Sequence, residues 1–337
     1  MGEASVDLII WLQANAPWLV PVAEVFTLLG DEDFYVLVFP LLYWSVSPRI
    51  GVRMGAMLLI SAGLNSALKL AFATPRPFWV SDEVEAHVIE YSFGVPSGHA
   101  QNSVVVWGVL AHGVARSWAW IAAFTLMAAV GLSRWVVGVH AVEDTLVGWM
   151  VGIALLMAYV RLEPQVRSWI GRLSTVGQVV LALAAPGVLI AFALVVSTLR
   201  AGWELPAEWA ANAAAADPDL VLDPMTVEGV FTPAGALCGL GLGLIWLHRT
   251  AGGFAPAFEL WRRLVCYPLG LVGVVVLWMG LGAVFPGGDE PLALALRFLR
   301  YTLVGVWIAA AAPLLFLRIR LVTPVHADGT SARDARA

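Results

Sequence analysis

Long apolar runs follow one another down this chain with only short polar breaks between them, and that pattern constrains the fold more than any other feature. A hydrocarbon layer about 30 Å thick takes about 20 helical residues to cross, and backbone groups inside it must pair within helices or closed barrels. The runs are continuous, not alternating, which selects helix over barrel strand. With 60% of 337 residues hydrophobic and 13% charged, a soluble domain is excluded. The prediction is an all-α, polytopic helical membrane bundle of about 9–10 transmembrane helices. Nine are placed at 33–48, 54–73, 97–115, 118–136, 140–160, 177–199, 231–248, 264–285 and 295–317. The opening run from Val6 to Leu29 is broken by Asn15, Pro17, Pro21 and Glu24, and both crossing and lying in the interface stay open for it. No Lys or Arg precedes Arg49, so this run lacks the basic start of a cleavable signal and is expected to stay on the mature protein.

Loop charges orient the bundle, because cytoplasmic loops collect Lys and Arg. Alternate loops hold Arg49 and Arg53; Arg116; Arg161, Arg167 and Arg172; Arg249, Arg262 and Arg263; and Arg318, Arg320, Arg333 and Arg336. Besides the motif cations the opposite loops hold only Arg200, Arg297 and Arg300, and they carry acids, among them Asp82, Glu83, Glu85, Glu90, Glu204, Glu208, Asp217, Asp219 and Asp223. The threading therefore places the loops around Lys69–Arg76, Ser97 and Arg134–His140 together on the non-cytoplasmic side. Four segments result: an N-terminal apolar or interfacial helix at 1–32, a core at 33–175, additional transmembrane helices at 176–324 and a disordered tail at 325–337. Gly235, Gly239 and Gly243 share one helix face at four-residue spacing, which reads as close helix packing. Cys238 and Cys266 lack ligand spacing and read as small core residues.

Three polar islands interrupt the apolar pattern: Lys69 with Arg76-Pro77, Pro96-Ser97-Gly98-His99, and Ser133-Arg134 with His140 and Asp144. Ionisable groups at membrane depth cost roughly 2.5–3.5 kcal/mol each on insertion scales, so a chain that keeps them uses them. Ser97 and Gly98 stand where a loop becomes a helix, a place that offers unpaired N–H groups and the positive dipole end to an anion. Ser61, Asn65 and Lys69 fall on one helix face, and Pro75 and Pro77 force the chain around Arg76 out of helix. His140 and Asp144 lie one turn apart, so the carboxylate can hold one ring nitrogen while the other faces outward, with Glu143 as a competing partner. Each island alone has a plainer reading: an ordinary Ser cap, cations snorkelling to headgroups, and a His–Asp pair tying helices. Taken together, three cations, a helix N-terminus and two histidines suit a phosphoryl group, whose transfer needs positioning and charge neutralisation. The cations supply the latter without a metal, so no metal site and no cofactor is expected.

In these three motifs, in this order and spacing, the chain resembles the type 2 phosphatidic acid phosphatase superfamily. The likeness covers roughly residues 30–160. It implies that His140 is the nucleophile forming a phosphohistidine, that Asp144 orients it and that His99 protonates the leaving group. It implies further that Lys69, Arg76, Ser97, Gly98 and Arg134 bind the phosphoryl oxygens. Membrane-bound members are metal-independent and act on lipid phosphates at the outer face, which agrees with the threading deduced from arginines.

The expected function is metal-independent hydrolysis of a lipid phosphate or pyrophosphate: phosphatidic acid, phosphatidylglycerophosphate, a polyprenyl pyrophosphate or a sphingoid phosphate. The expected partners are that substrate and the bilayer, with no nucleic acid, and homo-oligomerisation is left open. Two alternatives stand beside it, a lipid phosphotransferase using the same intermediate and a non-catalytic lipid-phosphate transporter. Phe78, Trp79, Tyr91 and Phe93 are read as interfacial anchors of the motif loop in preference to substrate contacts, and His112 and His248 as interfacial residues remote from the site.

Overall fold

A computed structural model describes residues 2–218 and 222–325. The tail expected beyond Val325, and Asp219 of the acidic outer loop, lie outside them. The chain is a polytopic helical membrane protein. Its helices are α1 Glu3–Asn15, α2 Val20–Leu28, α3 Glu32–Leu41, α4 Pro48–Phe72, α5 Pro77–Val80, α6 Gly98–Val114 and α7 Ser117–Val136. There follow α8 Val142–Arg172, α9 Thr175–Leu199, α10 Ala207–Ala216, α11 Glu228–Ala251, α12 Leu260–Val275, α13 Pro291–Val306 and α14 Ala312–Arg318. A short antiparallel ladder of β1 Phe254–Pro256 and β2 Val322–Pro324, with Ala255 opposite Thr323, is a feature that the apolar runs gave no sign of.

Helix occupies each stretch where the apolar runs placed it. Among the described residues seven helices are long and apolar enough to cross a membrane, or eight if the bent N-terminal pair counts as one crossing. The nine expected spans include two that fall short by length. Phe34–Val46 is a shorter apolar helix ending in a π-helical turn, and α6 has 17 residues, among them the buried polar Gln101, Asn102 and Ser103. The opening run is neither one straight span nor one interfacial rod: two helices meet at 91° where Pro17 follows Ala16. On α9, Val176, Val188 and Leu199 are 73%, 68% and 80% exposed, an apolar exterior suited to lipid.

Two compact units are present, each made of separated stretches of chain. The first holds residues up to Tyr35, Leu64–Arg161 and Ala191–Val227. Within it α6, α7 and α8 carry the second and third islands, and α8 lies against the start of α6 at backbone contact. A Cβ at Gly148 would stand 2.6 Å from the Ser97 carbonyl oxygen, and one at Gly152 would stand 2.8 Å from that of Gln101. These glycines set where the α6 N-terminus sits. Gly148→Val is accordingly expected to cost about 1–3 kcal/mol through overpacking. The check is the melting temperature in detergent, and an unchanged value would contradict the close approach.

An apolar cluster beneath the motif loops joins Ile9 of α1, Ala23 of α2, Phe78 and Trp79 of α5, Phe93, and Val136, Val137 and Val139. Phe78, Trp79 and Phe93 are thus buried at 1%, 0% and 0%, not anchored at an interface, and of the four aromatics only Tyr91 is exposed. The reason lies in the outer loop: it folds into α10, whose Trp209 lies 6.1 Å from Trp79, while Trp203 meets Phe93 edge-on at 5.3 Å.

The second unit holds Val36–Gly63, Leu162–Ile190 and the chain from Glu228 onward. Gly235, Gly239 and Gly243 bring α11 against the helical segment beginning with α13, so that Cβ atoms there would meet the Phe298 carbonyl, the Thr302 carbonyl and Ala309. Tyr43 and Trp44 donate to the carbonyls of Ala309 and Ile308 at 2.9 Å, pairing backbone groups of a second π-helical segment, Trp307–Ala311. Cys238 and Cys266 are buried, as small core residues would be.

Candidate active site

Each island folds for a local reason. Lys69 lies in the last turn of α4, and Ala73 ends that helix at a positive φ of 48°. Arg76 follows in extended conformation ahead of Pro77, which opens α5. Ser97 caps α6, its Oγ accepting from the Ala100 N–H at 3.5 Å, while its own N–H donates to the Asp144 carbonyl at 3.0 Å. A Cβ at Gly98 would stand 3.1 Å from Asn65 Oδ1, and Asn65 donates to the Pro96 carbonyl and to Gln101 Oε1. The α6 N-terminus is thereby fixed from α4 and α8 alike. Arg134 closes α7, and His140 lies in the turn between α7 and α8.

Within the first unit the turn residue His140 is held from both sides. Its Nδ1 lies 3.1 Å from Asp144 Oδ2, which also accepts the Ala141 N–H at 2.9 Å. Its Nε2 lies 3.1 Å from Arg76 Nη1. A guanidinium can only donate, so Nε2 carries the lone pair and Nδ1 the proton. Burial, reinforced by the charges of Arg76, Lys69, Arg134 and His99, pushes the imidazole well below its ordinary value of 6.5. The neutral form with Nε2 exposed is therefore the resting one. Glu143, the competing partner, turns away and accepts from the Gly2 N–H at 2.6 Å and the Ser5 hydroxyl.

Arg76 is fully buried and spends its donors on five acceptors: the Ser92 carbonyl at 2.5 Å, the Ser92 hydroxyl at 3.1 Å, Glu90 Oε2 at 3.2 Å, the Val139 carbonyl at 3.0 Å and His140 Nε2. Arg134, equally buried, donates to Glu90 Oε1 at 2.6 Å and to Thr27 Oγ1 at 3.2 Å. Lys69 donates to the Ser92 hydroxyl at 2.8 Å. Burial pushes the Glu90 carboxyl up, but Arg76, Arg134, Lys69 and His99 outweigh it and hold it well below the usual carboxylate range. His99 Nε2 and Arg134 Nε are buried without a hydrogen-bond partner among the described residues.

All eight predicted site residues thus fall in the first unit, around one cationic centre. Three participants escaped the sequence reading. Glu90 is one of the acids of the outer loop, Ser92 follows it by two residues, and Thr27 lies in the apolar opening run. No local pattern marks them, although an acid two residues before a serine and close ahead of Pro96 was open to notice. His112 and His248 are exposed and belong to no such cluster. Chemically, the centre offers a lone-pair nitrogen beside guanidinium donors, a second histidine with a buried Nε2 and a capped helix N-terminus.

Comparison with known proteins finds a likeness to phosphatases in both halves of the chain. The profile of the PAP2 superfamily matches residues 50–168, and that of the PAP2 superfamily phosphatase transmembrane extension matches residues 231–324. Glucose-6-phosphatase 3 of Bos taurus is 28% identical over 340 aligned positions, covering 90% of this chain and 92% of the relative. Lipid phosphate phosphatase delta of Arabidopsis thaliana is 28% identical over 140 positions, 36% of this chain and 33% of the relative. Phosphatidylglycerophosphatase B of Bacillus subtilis is 29% identical over 152 positions, 41% of this chain and 72% of the relative. No solved structure matches the chain.

Proposed function

This chain belongs to the PAP2 superfamily, the type 2 phosphatidic acid phosphatases, and we propose that it hydrolyses a lipid phosphate or pyrophosphate, without a metal, through a phosphohistidine at His140. One observation carries the reading: an unprotonated His140 Nε2, fixed by Asp144 behind it, faces the Arg76 guanidinium at 3.1 Å. In the first step Nε2 attacks phosphorus, the N–P bond forms and the bond to the leaving oxygen breaks. His99 supplies the proton that the leaving oxygen takes up. The Asp144 carboxylate stabilises the positive charge gained by the ring. Water then attacks phosphorus and gives its proton to His99, the N–P bond breaks, the electron pair returns to His140 Nε2 and inorganic phosphate leaves. Lys69, Arg76, Arg134 and the Ser97–Gly98 helix start bind the phosphoryl oxygens throughout.

The loop charges support an active site on the non-cytoplasmic face of the cell membrane, with residues 33–175 as the catalytic core and 176–324 as additional helices. Placed there, the cations meet phosphate at headgroup depth while an acyl or prenyl tail stays in lipid. A second reading, a sugar phosphate as substrate, is favoured by the likeness to glucose-6-phosphatase 3, which runs through the second-half helices, whereas the lipid phosphatases match only part of this chain.

The test is phosphate release by purified protein with EDTA present, over a panel of phosphatidic acid, phosphatidylglycerophosphate, a polyprenyl diphosphate, a sphingoid phosphate and glucose 6-phosphate. Release from a lipid is expected. Release from the sugar phosphate alone would establish the second reading, and dependence on a divalent metal would contradict both. The same assay carries a pH prediction. His140 must be neutral to attack, and its titration lies below the usual imidazole range, so the acidic limb of kcat/KM is expected below pH 6.5. A limb at or above that value would contradict the buried, cation-surrounded imidazole.

A further inference from the structure

We infer that Glu90 is an internal anion seated in the phosphoryl site, which every substrate must displace and which sets an affinity threshold that phosphodiesters of the surrounding bilayer do not reach. The inference rests on the reading of Arg76 and Arg134 as phosphoryl-binding residues. Glu90 gives one carboxylate oxygen to each guanidinium, Oε2 to Arg76 at 3.2 Å and Oε1 to Arg134 at 2.6 Å. A carboxylate offers two oxygens at nearly the spacing of two oxygens of a phosphoryl group, and both are acceptors for the same planar donors. Two residues on, Ser92 takes the Lys69 ammonium and two donors of Arg76. The segment from Glu90 to Ser92 therefore engages all three cations of the centre.

What this segment leaves unfilled is equally informative. Arg134 Nε and His99 Nε2 are buried and lack hydrogen-bond partners among the described residues. A buried polar group left unpaired costs about 1–3 kcal/mol. A phosphoryl group has three peripheral oxygens and a leaving oxygen where a carboxylate has two oxygens in all. The two unpaired nitrogens are the donors that such a larger anion would use and that Glu90 cannot.

The consequence follows from mass action. A tethered ligand competes at an effective concentration on the order of millimolar or above. It weakens every incoming anion by the same factor, so ligands that were weak at the outset drop out of occupancy while strong ones persist. A phosphodiester brings one negative charge and two esterified oxygens; a phosphomonoester dianion brings two charges and three free oxygens. A cationic cradle in contact with a bilayer needs such a threshold, because diester headgroups outnumber any monoester substrate there.

Inorganic phosphate and dimethyl phosphate, titrated calorimetrically into the full chain in detergent, test this in the wild type, Glu90→Gln and Glu90→Ala. Both Kd values are expected to tighten at least about tenfold in each variant, and vesicles containing phosphatidylglycerol should come to inhibit the variants far more than the wild type. Unchanged or weaker binding of both anions in the two variants would overturn the inference. Hydrogen exchange on the wild type gives an independent reading should the variants not fold. Saturating phosphate should speed exchange over residues 86–92, and unchanged or slowed exchange there would overturn it. Tightened anion binding without turnover of any phosphomonoester would support the internal anion while removing the hydrolase reading. Absence of phosphate binding in all three folded proteins would overturn both.

Discussion

His140→Ala protein is expected to lose at least about 10⁴-fold in kcat, a fall of the size seen when a covalent nucleophile is deleted. The carboxylates around this residue are already engaged, Glu143 by Gly2 and Ser5, Glu90 by Arg76 and Arg134, and Asp144 by the Ala141 N–H. The helices should persist, because His140 sits in the turn between α7 and α8 and not within either. Melting temperature and circular dichroism of the variant separate lost chemistry from lost fold. Turnover within tenfold of the wild type by a folded His140→Ala protein would refute the assignment.

The second large effect is expected at Arg76. Arg76→Lys keeps the charge and loses the planar fork, and at a residue with five acceptors that exchange is not conservative. An ammonium has three donors. It cannot reach the Ser92 carbonyl, Glu90, Val139 and His140 Nε2 together, so both the 90–92 segment and the attacking nitrogen lose their support. The expected cost is on the order of 10²–10³ in kcat/KM, comparable to removing a donor to a developing anion. Steady-state kinetics on the same substrate check it, and a loss under about threefold would show that the guanidinium geometry does not matter.

Much of this architecture was legible in the residues because its causes are local or periodic. Apolar runs fix where helices form. The four-residue spacing of His140 and Asp144 fixes which carboxylate can reach the ring, and the structure separates Asp144 from Glu143 as that spacing predicts. Fine motif spacing also foretold the Ser97 cap.

What remained hidden depends on contacts between distant segments. Glu90 is one acid among many in an outer loop until Arg76 and Arg134 are brought to either side of it. Thr27 stands between Phe26 and Leu28 in a run that nothing ties to Arg134 in sequence, yet the 91° bend at Pro17 accompanies its arrival there. Trp203 and Trp209 lie in an Ala- and acid-rich outer loop, and only the fold sets Trp209 of α10 against Trp79 and Trp203, which precedes α10, against Phe93. The shortness of α6 escapes the apolar pattern for a different reason. A rule based on apolar runs cannot see that α6 shortens and turns polar because its N-terminus is built into the centre.

The most direct measurement is to quench purified protein during turnover of a labelled phosphomonoester and locate the covalent label. The predicted result is an acid-labile, alkali-stable phosphoryl group that fragmentation maps to Nε2 of His140 and that is missing from His140→Ala protein. A label on any other residue, or rapid turnover with no labelled protein at any quench time, would contradict it.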